Sequence, residues 1–211
     1  MSVRITLQSV TKSFHNRKSI FAPVQAEYTS GEVVAITGSN GTGKSTLLKI
    51  IAKTLQPTTG RCMWFENDVT VNEETYHSLM GFSAPYLNLY DEFTADEHCK
   101  LNCSLLGIPF QESRADELFS MFGLTKRKDD VIKTFSSGMK QRVKLILALQ
   151  HNPQVLLLDE PTTNMDTKGI DTLYAVLEQE KKRNPLIIFA TNEQSDIDFS
   201  TSQLALQTTS I

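Results

Sequence analysis

The run Gly38-Ser39-Asn40-Gly41-Thr42-Gly43-Lys44-Ser45 constrains this chain more than any other feature. It follows Glu32-Val33-Val34-Ala35-Ile36-Thr37, which reads as a strand buried on both faces. It precedes Thr46-Leu47-Leu48-Lys49-Ile50-Ile51-Ala52, which reads as a helix. A glycine-rich loop in that position lets backbone N–H groups turn inward around a phosphate without Cβ clashes, and the helix N-terminus adds donors and partial positive charge. The expected nucleotide-binding set is Gly38, Ser39, Asn40, Gly41, Thr42, Gly43, Lys44, Ser45 and Thr46. Lys44 is placed to reach the β- and γ-phosphates, and Ser45 Oγ to ligate Mg²⁺, a cation that takes oxygen ligands.

Such a site needs an acid at the end of a neighbouring buried strand, and Val155-Leu156-Leu157-Leu158 runs into Asp159-Glu160-Pro161. Asp159 is expected to hold the water shell of Mg²⁺. Glu160 can face the γ-phosphate and orient or deprotonate water, a role worth ~10²–10⁴-fold in rate. Alone, an Asp-Glu pair after a strand is often a helix cap; beside a phosphate loop, catalysis is the better reading.

The rest of the chain carries no internal repeat, low-complexity block or long linker. Val3–Val10 alternates as a half-buried strand, a second strand runs from Ala22 to Tyr28, and Ser30-Gly31 closes that unit as a turn. Pro57 and Gly60 mark the exit from the helix after the phosphate loop. From Thr94 to Leu149 helical signals dominate, opening on Thr94-Ala95-Asp96-Glu97 and interrupted at Gly107-Ile108-Pro109. A further helix carries Ile170, Leu173, Tyr174 and Leu177 on one face, and Leu186–Ala190 is another buried strand. Strands alternating with helices make an α/β chain.

Charge excludes one class of function. The 21 Lys and Arg against 24 Asp and Glu give a net charge of -3, too little positive field for non-specific nucleic-acid binding, so no nucleic acid is expected as partner. Lys126-Arg127-Lys128 and Lys181-Lys182-Arg183 read as solvated surface. No apolar run approaches the roughly 20 residues that span a bilayer, and the first residues do not read as a secretory signal, so a cytoplasmic location is expected. Cys62, Cys99 and Cys103 show no ligand spacing and read as reduced packing residues.

Phe135-Ser136-Ser137-Gly138-Met139-Lys140-Gln141-Arg142 decides among phosphate-loop families. It resembles the signature motif of ATP-binding cassette (ABC) ATPases, whose usual form is Leu-Ser-Gly-Gly-Gln; Ser136 and Gly138 match, while Phe135, Ser137 and Met139 do not. Thr163-Asn164-Met165-Asp166 resembles that family's D-loop, and Phe14 the aromatic that stacks on adenine. The resemblance covers nearly the whole chain in the right order. It implies a P-loop NTPase fold with a RecA-like parallel core, an N-terminal antiparallel β subdomain and an inserted α-helical subdomain. The expected boundaries are about 1–85 and 153–211 for the β subdomain and core, and about 86–152 for the helical signature lobe. It also implies ATP and Mg²⁺ as ligands, with Ser136, Gly138 and Asp166 of one copy completing the nucleotide site of another. The expected partners are then a second ABC subunit, in a homodimer, and a transmembrane permease subunit that holds the protein on the cytoplasmic face of the membrane. The form of the signature and the short stretch after Asn192 resemble compact single-cassette exporters.

Two positions depart from the family. Pro85 stands where an ungapped comparison expects the Q-loop glutamine, and it offers no polar side-chain group or N–H; Asn88 or Ser83 could substitute in a reshaped loop. Asn192 stands where the family has its switch histidine, and its amide can donate to a γ-phosphate but not exchange a proton near neutral pH. Loss of one transition-state donor costs ~10²–10³-fold, so slow hydrolysis by Lys44, Glu160 and Asn192 is expected. Alternative readings are a soluble non-transport ABC ATPase, or a weakly hydrolysing ATP-gated clamp.

Overall fold

The computed structural model describes residues 2–15, 18–72 and 75–208. The amino-terminal strands are β1 (Val3–Thr11) and β2 (Val24–Thr29), antiparallel, with Arg4 opposite Thr29 and Val10 opposite Val24. The second begins later than its sequence pattern suggests, just past Pro23, which has no N–H to give a ladder. After the turn at Ser30-Gly31 come β3 (Val33–Thr37), the phosphate loop, and α1 (Lys44–Ile51). The chain then returns to the first sheet as β4 (Thr59–Glu66), which pairs with the other edge of β1, and β5 (Val69–Thr70). Their connection, Asn67-Asp68, has positive φ at both residues (48° and 64°), the left-handed pair a tight hairpin needs.

Next follow α2 (Tyr76–Leu79) and β6 (Met80–Ser83). A helical segment comes after them: α3 (Ala95–Leu105), α4 (Glu112–Met121) and α5 (Ser137–Leu149). The expected start of α3 is present as a full capping box: Thr94 Oγ1 accepts from Glu97 N at 3.1 Å, and Glu97 Oε2 accepts from Thr94 N at 2.8 Å. The chain ends in β7 (Val155–Asp159), α6 (Thr167–Lys181), β8 (Leu186–Ala190), α7 (Gln194–Phe199) and β9 (Ser202–Ala205).

The second sheet is parallel throughout, in the order β6-β7-β8-β3-β9. Burial on both faces explains why its strands read as continuous apolar runs. Val34, Ile36, Leu157 and Ile188 face α1 and the antiparallel sheet; Val33, Leu156, Leu158, Ile187 and Phe189 face the other way, onto a cluster built with α3 to α6. Trp64 closes the first cluster, its indole N–H donating to Ile51 O at 3.0 Å. The helical segment therefore shares its apolar core with the sheet.

All three cysteines are buried and unpaired, Cys99 and Cys103 on one face of α3 as expected. The basic runs are partly ion-paired: Arg127 with Asp130, Lys128 with Asp116, Lys181 with Glu178 and Arg183 with Glu180. Among the described residues no helix is long and apolar enough to cross a membrane.

Candidate active site

In a parallel sheet the carboxyl ends of the strands all open on one edge, where ligands collect. The loop after β3 and the end of β7 both lie there. Gly43, with φ of +95°, caps α1; a Cβ on it would stand 2.7 Å from Ile20 and 2.9 Å from Phe21, so the loop is pressed onto the segment that follows Phe14. Thr42 is buried, its hydroxyl donating to Ser39 O at 2.9 Å. Lys44 is only 6% exposed and its ammonium bends back over the loop, donating to Gly38 O at 2.8 Å and Ser39 O at 3.4 Å. The lysine thus already holds its positive charge inside the ring of loop backbone where a phosphate would sit. Thr46 continues the first turn of α1.

Ser45 Oγ donates to Asp159 Oδ1 at 2.9 Å, so α1 and β7 meet at the two residues expected to share a metal. Asp159 is 2% exposed; burial pushes its carboxyl up, and the Ser45 hydroxyl pulls it back. Its second oxygen, Oδ2, is buried and has no hydrogen-bond partner. A buried carboxylate oxygen without a donor, next to a hydroxyl, suits a hard cation with oxygen ligands. Among the described residues no group of three or more His, Cys, Asp or Glu could hold a metal by itself. A hydroxyl and a carboxylate side by side are the oxygen donors that Mg²⁺ takes. Glu160 follows in the left-handed region at φ 43°, exposed, with its N–H on Ala190 O at 2.9 Å. A non-glycine residue there is strained by ~1–3 kcal/mol and turns its side chain out of the strand's alternation, toward the open edge.

From the far side, Asn192 Nδ2 donates to Asn40 Oδ1 at 2.7 Å and so reaches the phosphate loop. Its segment is braced from below: Thr191 Oγ1 and the Tyr174 hydroxyl donate to buried Asp196 at 2.5 and 2.6 Å.

The signature-like turn makes contacts with the segment after Glu160. Ser136 caps α5, accepting from Met139 N at 3.2 Å, and a Cβ on Gly138 would stand 3.0 Å from Asn164 O. Gln141 Nε2 donates to Pro161 O at 3.1 Å, and Arg142 Nη2 to Asp166 Oδ1 at 2.9 Å. Asp166 also caps α6 through Gly169 N at 2.9 Å, and that N–H, more than Arg142, lowers its pKa. Within one chain, then, Ser136 and Asp166 serve as helix caps, and none of their hydrogen bonds reaches the phosphate loop. Phe14 is 44% exposed, with Lys12 Nζ 5.1 Å above its ring.

A family model described as ABC transporter matches residues 21–163, more than half of the chain. The chain belongs to the ABC transporter family. Among curated relatives of this cassette, the bacitracin transport ATP-binding protein BcrA of Bacillus licheniformis is 29% identical over 94% of this chain and 64% of its own length. The ABC transporter ATP-binding protein NatA of Bacillus subtilis is 30% identical over 92% of this chain and 81% of its own. ABC transporter A family member 1 of Dictyostelium discoideum is 28% identical, and this chain spans only 23% of it. Among solved structures, a dimeric ATP-binding cassette in a post-hydrolysis state, bound to ADP and Pi, superposes with a TM-score of 0.85 at 24% identity, covering 96% of this chain and 94% of that one. The α/β fold with a parallel core and an added antiparallel sheet is the ABC ATPase fold.

The loop after β6 holds Pro85, at the position where the resemblance leads one to expect a glutamine. Pro85 has no side-chain polar group, and its carbonyl accepts from Lys144 Nζ at 2.7 Å. Ser83 is fully buried with its Oγ unpartnered, and in register with Leu158, so strand alternation puts it on the sheet face opposite Asp159. Asn88 is exposed and lines a groove of about 320 Å³ between β6, α3 and α5. Neither substitute considered from the sequence is thus placed beside the metal pair. Tyr86 is: the segment that continues β6 past Ser83, the register partner of Leu158, carries it beside the end of β7, and burial first, then the Asp159 carboxylate, pushes its phenol's pKa up. Sequence reading missed Tyr86 because a tyrosine after a proline carries no motif.

Proposed function

We propose that this chain is the ATP-binding and ATP-hydrolysing subunit of an ABC transporter, powering transport by a separate transmembrane subunit. The observation that carries the reading is the hydrogen bond between Ser45 and Asp159, with Lys44 folded over the phosphate loop beside it. The loop N–H groups and Lys44 bind the phosphates. Phe14 offers its exposed face to the adenine. Ser45 and Asp159 would hold Mg²⁺, which would supply neutralisation of the phosphate charge. Glu160 orients the attacking water and takes up its proton, and Asn192 donates to the γ-phosphate from across the loop.

A second copy is the partner we favour. Among the described residues no hydrogen bond of Ser136 or Asp166 goes to their own chain's phosphate loop, which leaves them to a head-to-tail partner that would bring them against the γ-phosphate. ATP then joins two copies, and hydrolysis releases them. The helical lobe, about 86–152, and the groove bounded by Leu87, Tyr90 and Leu105 are the docking face for the permease, which places the protein on the cytoplasmic side of the membrane. Export is the direction we favour, from the form of the signature at residues 135–142.

Single-turnover hydrolysis of Mg-ATP tests the chemistry: a slow burst of phosphate is expected from the wild type, at least ~10²-fold faster than from Lys44→Ala. Absence of phosphate, with ATP still bound, would leave the ATP-gated clamp as the surviving reading.

A further inference from the structure

Asp159 has one oxygen satisfied by Ser45 and one, Oδ2, buried without a partner. The segment that continues β6 past Ser83, the register partner of Leu158, brings Tyr86 up beside the end of β7 and its Asp159 carboxylate. Tyr86 is held there from two sides. Lys49, one turn after Ser45 on the same face of α1, places its ammonium 4.0 Å from the centre of the Tyr86 ring. Lys144, on α5, fixes the preceding peptides by donating to Pro85 O at 2.7 Å and Ala84 O at 3.5 Å. Ser45 and Lys49 thus act as two prongs of one helix, the first on the carboxylate and the second on the tyrosine beside it.

Simple packing does not account for this arrangement. Tyr86 is 43% exposed, so its ring contributes little to the core, yet it is held from two sides.

We propose that Tyr86 is a positioning residue of the Mg²⁺ site, its hydroxyl donating to Asp159 Oδ2 and its oxygen free to accept from a metal-bound water, with Lys49 clamping the ring in place. A phenol can do both at once, whereas Pro85 can do neither. The donated hydrogen bond fixes the plane of the carboxylate so that its remaining lone pairs face the metal's water shell. The role rests on the reading of Ser45 and Asp159 as the metal pair of an ATP site.

The test is the Mg²⁺ dependence of ATP binding, followed by isothermal titration calorimetry in EDTA and across a Mg²⁺ series, for wild type, Tyr86→Phe and Lys49→Met. Tyr86→Phe removes one oxygen and keeps the ring over Lys49, and a thermal melt without nucleotide confirms that it folds. The Mg²⁺ concentration at half effect is expected to rise about 10-fold in Tyr86→Phe and several-fold in Lys49→Met, about what losing one hydrogen bond to a charged group costs. Affinity in EDTA is expected to move by no more than about twofold, which separates metal positioning from a general loss of shape. A Tyr86→Phe midpoint within about twofold of the wild type overturns the proposal and leaves the ATP site standing. A wild type that binds no ATP with or without Mg²⁺ overturns the site itself, and Tyr86 with it.

Discussion

The phosphate loop can be read one residue at a time, and Gly43 shows how little freedom it has. Its φ of +95° is a conformation that L side chains rarely adopt, and the space beyond its Cα is filled by Ile20 and Phe21. Gly43→Ala therefore meets backbone strain and a clash together. A loss of ~1–3 kcal/mol in folding stability is expected from chemical denaturation, with ATP affinity falling because the N–H groups of the loop move as a unit. Gly41 is the internal control: it shares the positive φ, but nothing lies within 4 Å of where its Cβ would stand, so Gly41→Ala should cost less. An equal loss at both positions would show that the Ile20 and Phe21 contact carries no weight.

At the scale of elements, legibility followed burial and local chemistry. The runs at Val33–Thr37, Val155–Asp159 and Leu186–Ala190 were plain because a parallel strand covered on both faces is apolar at every position. The start of α3 was plain because Thr94 and Glu97 satisfy each other's backbone. The edge strand β9 hid, since Ser202-Gln203-Leu204-Ala205 pairs on one side only and buries little. The short strand β6 hid behind Gly81, whose missing side chain lets Ala148 O come to 2.0 Å from where a Cβ would be. Close passage of α5 over β6 also sets the environment of His151, just past the end of α5. Its Nε2 meets Met80 O at 3.1 Å, Nδ1 is buried without a partner, and burial lowers its pKa despite the Met80 carbonyl. A base whose folded pKa lies below its unfolded value near 6.5 binds fewer protons folded than unfolded, so its contribution is complete above pH 6.5 and is lost as pH falls through the folded pKa. Denaturation midpoints between pH 7.5 and about 5 should fall less steeply in His151→Gln, which keeps a donor for Met80 O, than in the wild type. Parallel slopes would place the acid sensitivity elsewhere.

At the scale of the whole molecule, the parts of the candidate site fall into two sets that one chain does not unite. Lys44, Ser45, Asp159 and Asn192 are joined to the phosphate loop or the helix it opens, with Glu160 next after Asp159, whereas Ser136, Gly138 and Asp166 are tied to one another through α5 and the segment after Pro161. Gln141, Gly138 and Arg142 hold that second set against the residues just after Glu160, so a shift at Glu160 on hydrolysis would have a short path to the surface proposed to face the other copy. Stopping hydrolysis without disturbing this linkage should hold the two copies together. Glu160→Gln is suited to this: it keeps the shape of the side chain and the backbone at φ 43°, and removes only the carboxylate proposed to take the proton. Gel filtration of Glu160→Gln is expected to show a dimer in Mg-ATP and a monomer in ADP, with single-turnover hydrolysis reduced ~10²–10⁴-fold. Ser136→Arg, an exposed cap on the proposed contact surface, should abolish that dimer while leaving ATP binding to the monomer intact. A Glu160→Gln protein that saturates with Mg-ATP and stays monomeric would separate nucleotide binding from assembly, and leave the second set of residues as helix caps and nothing more.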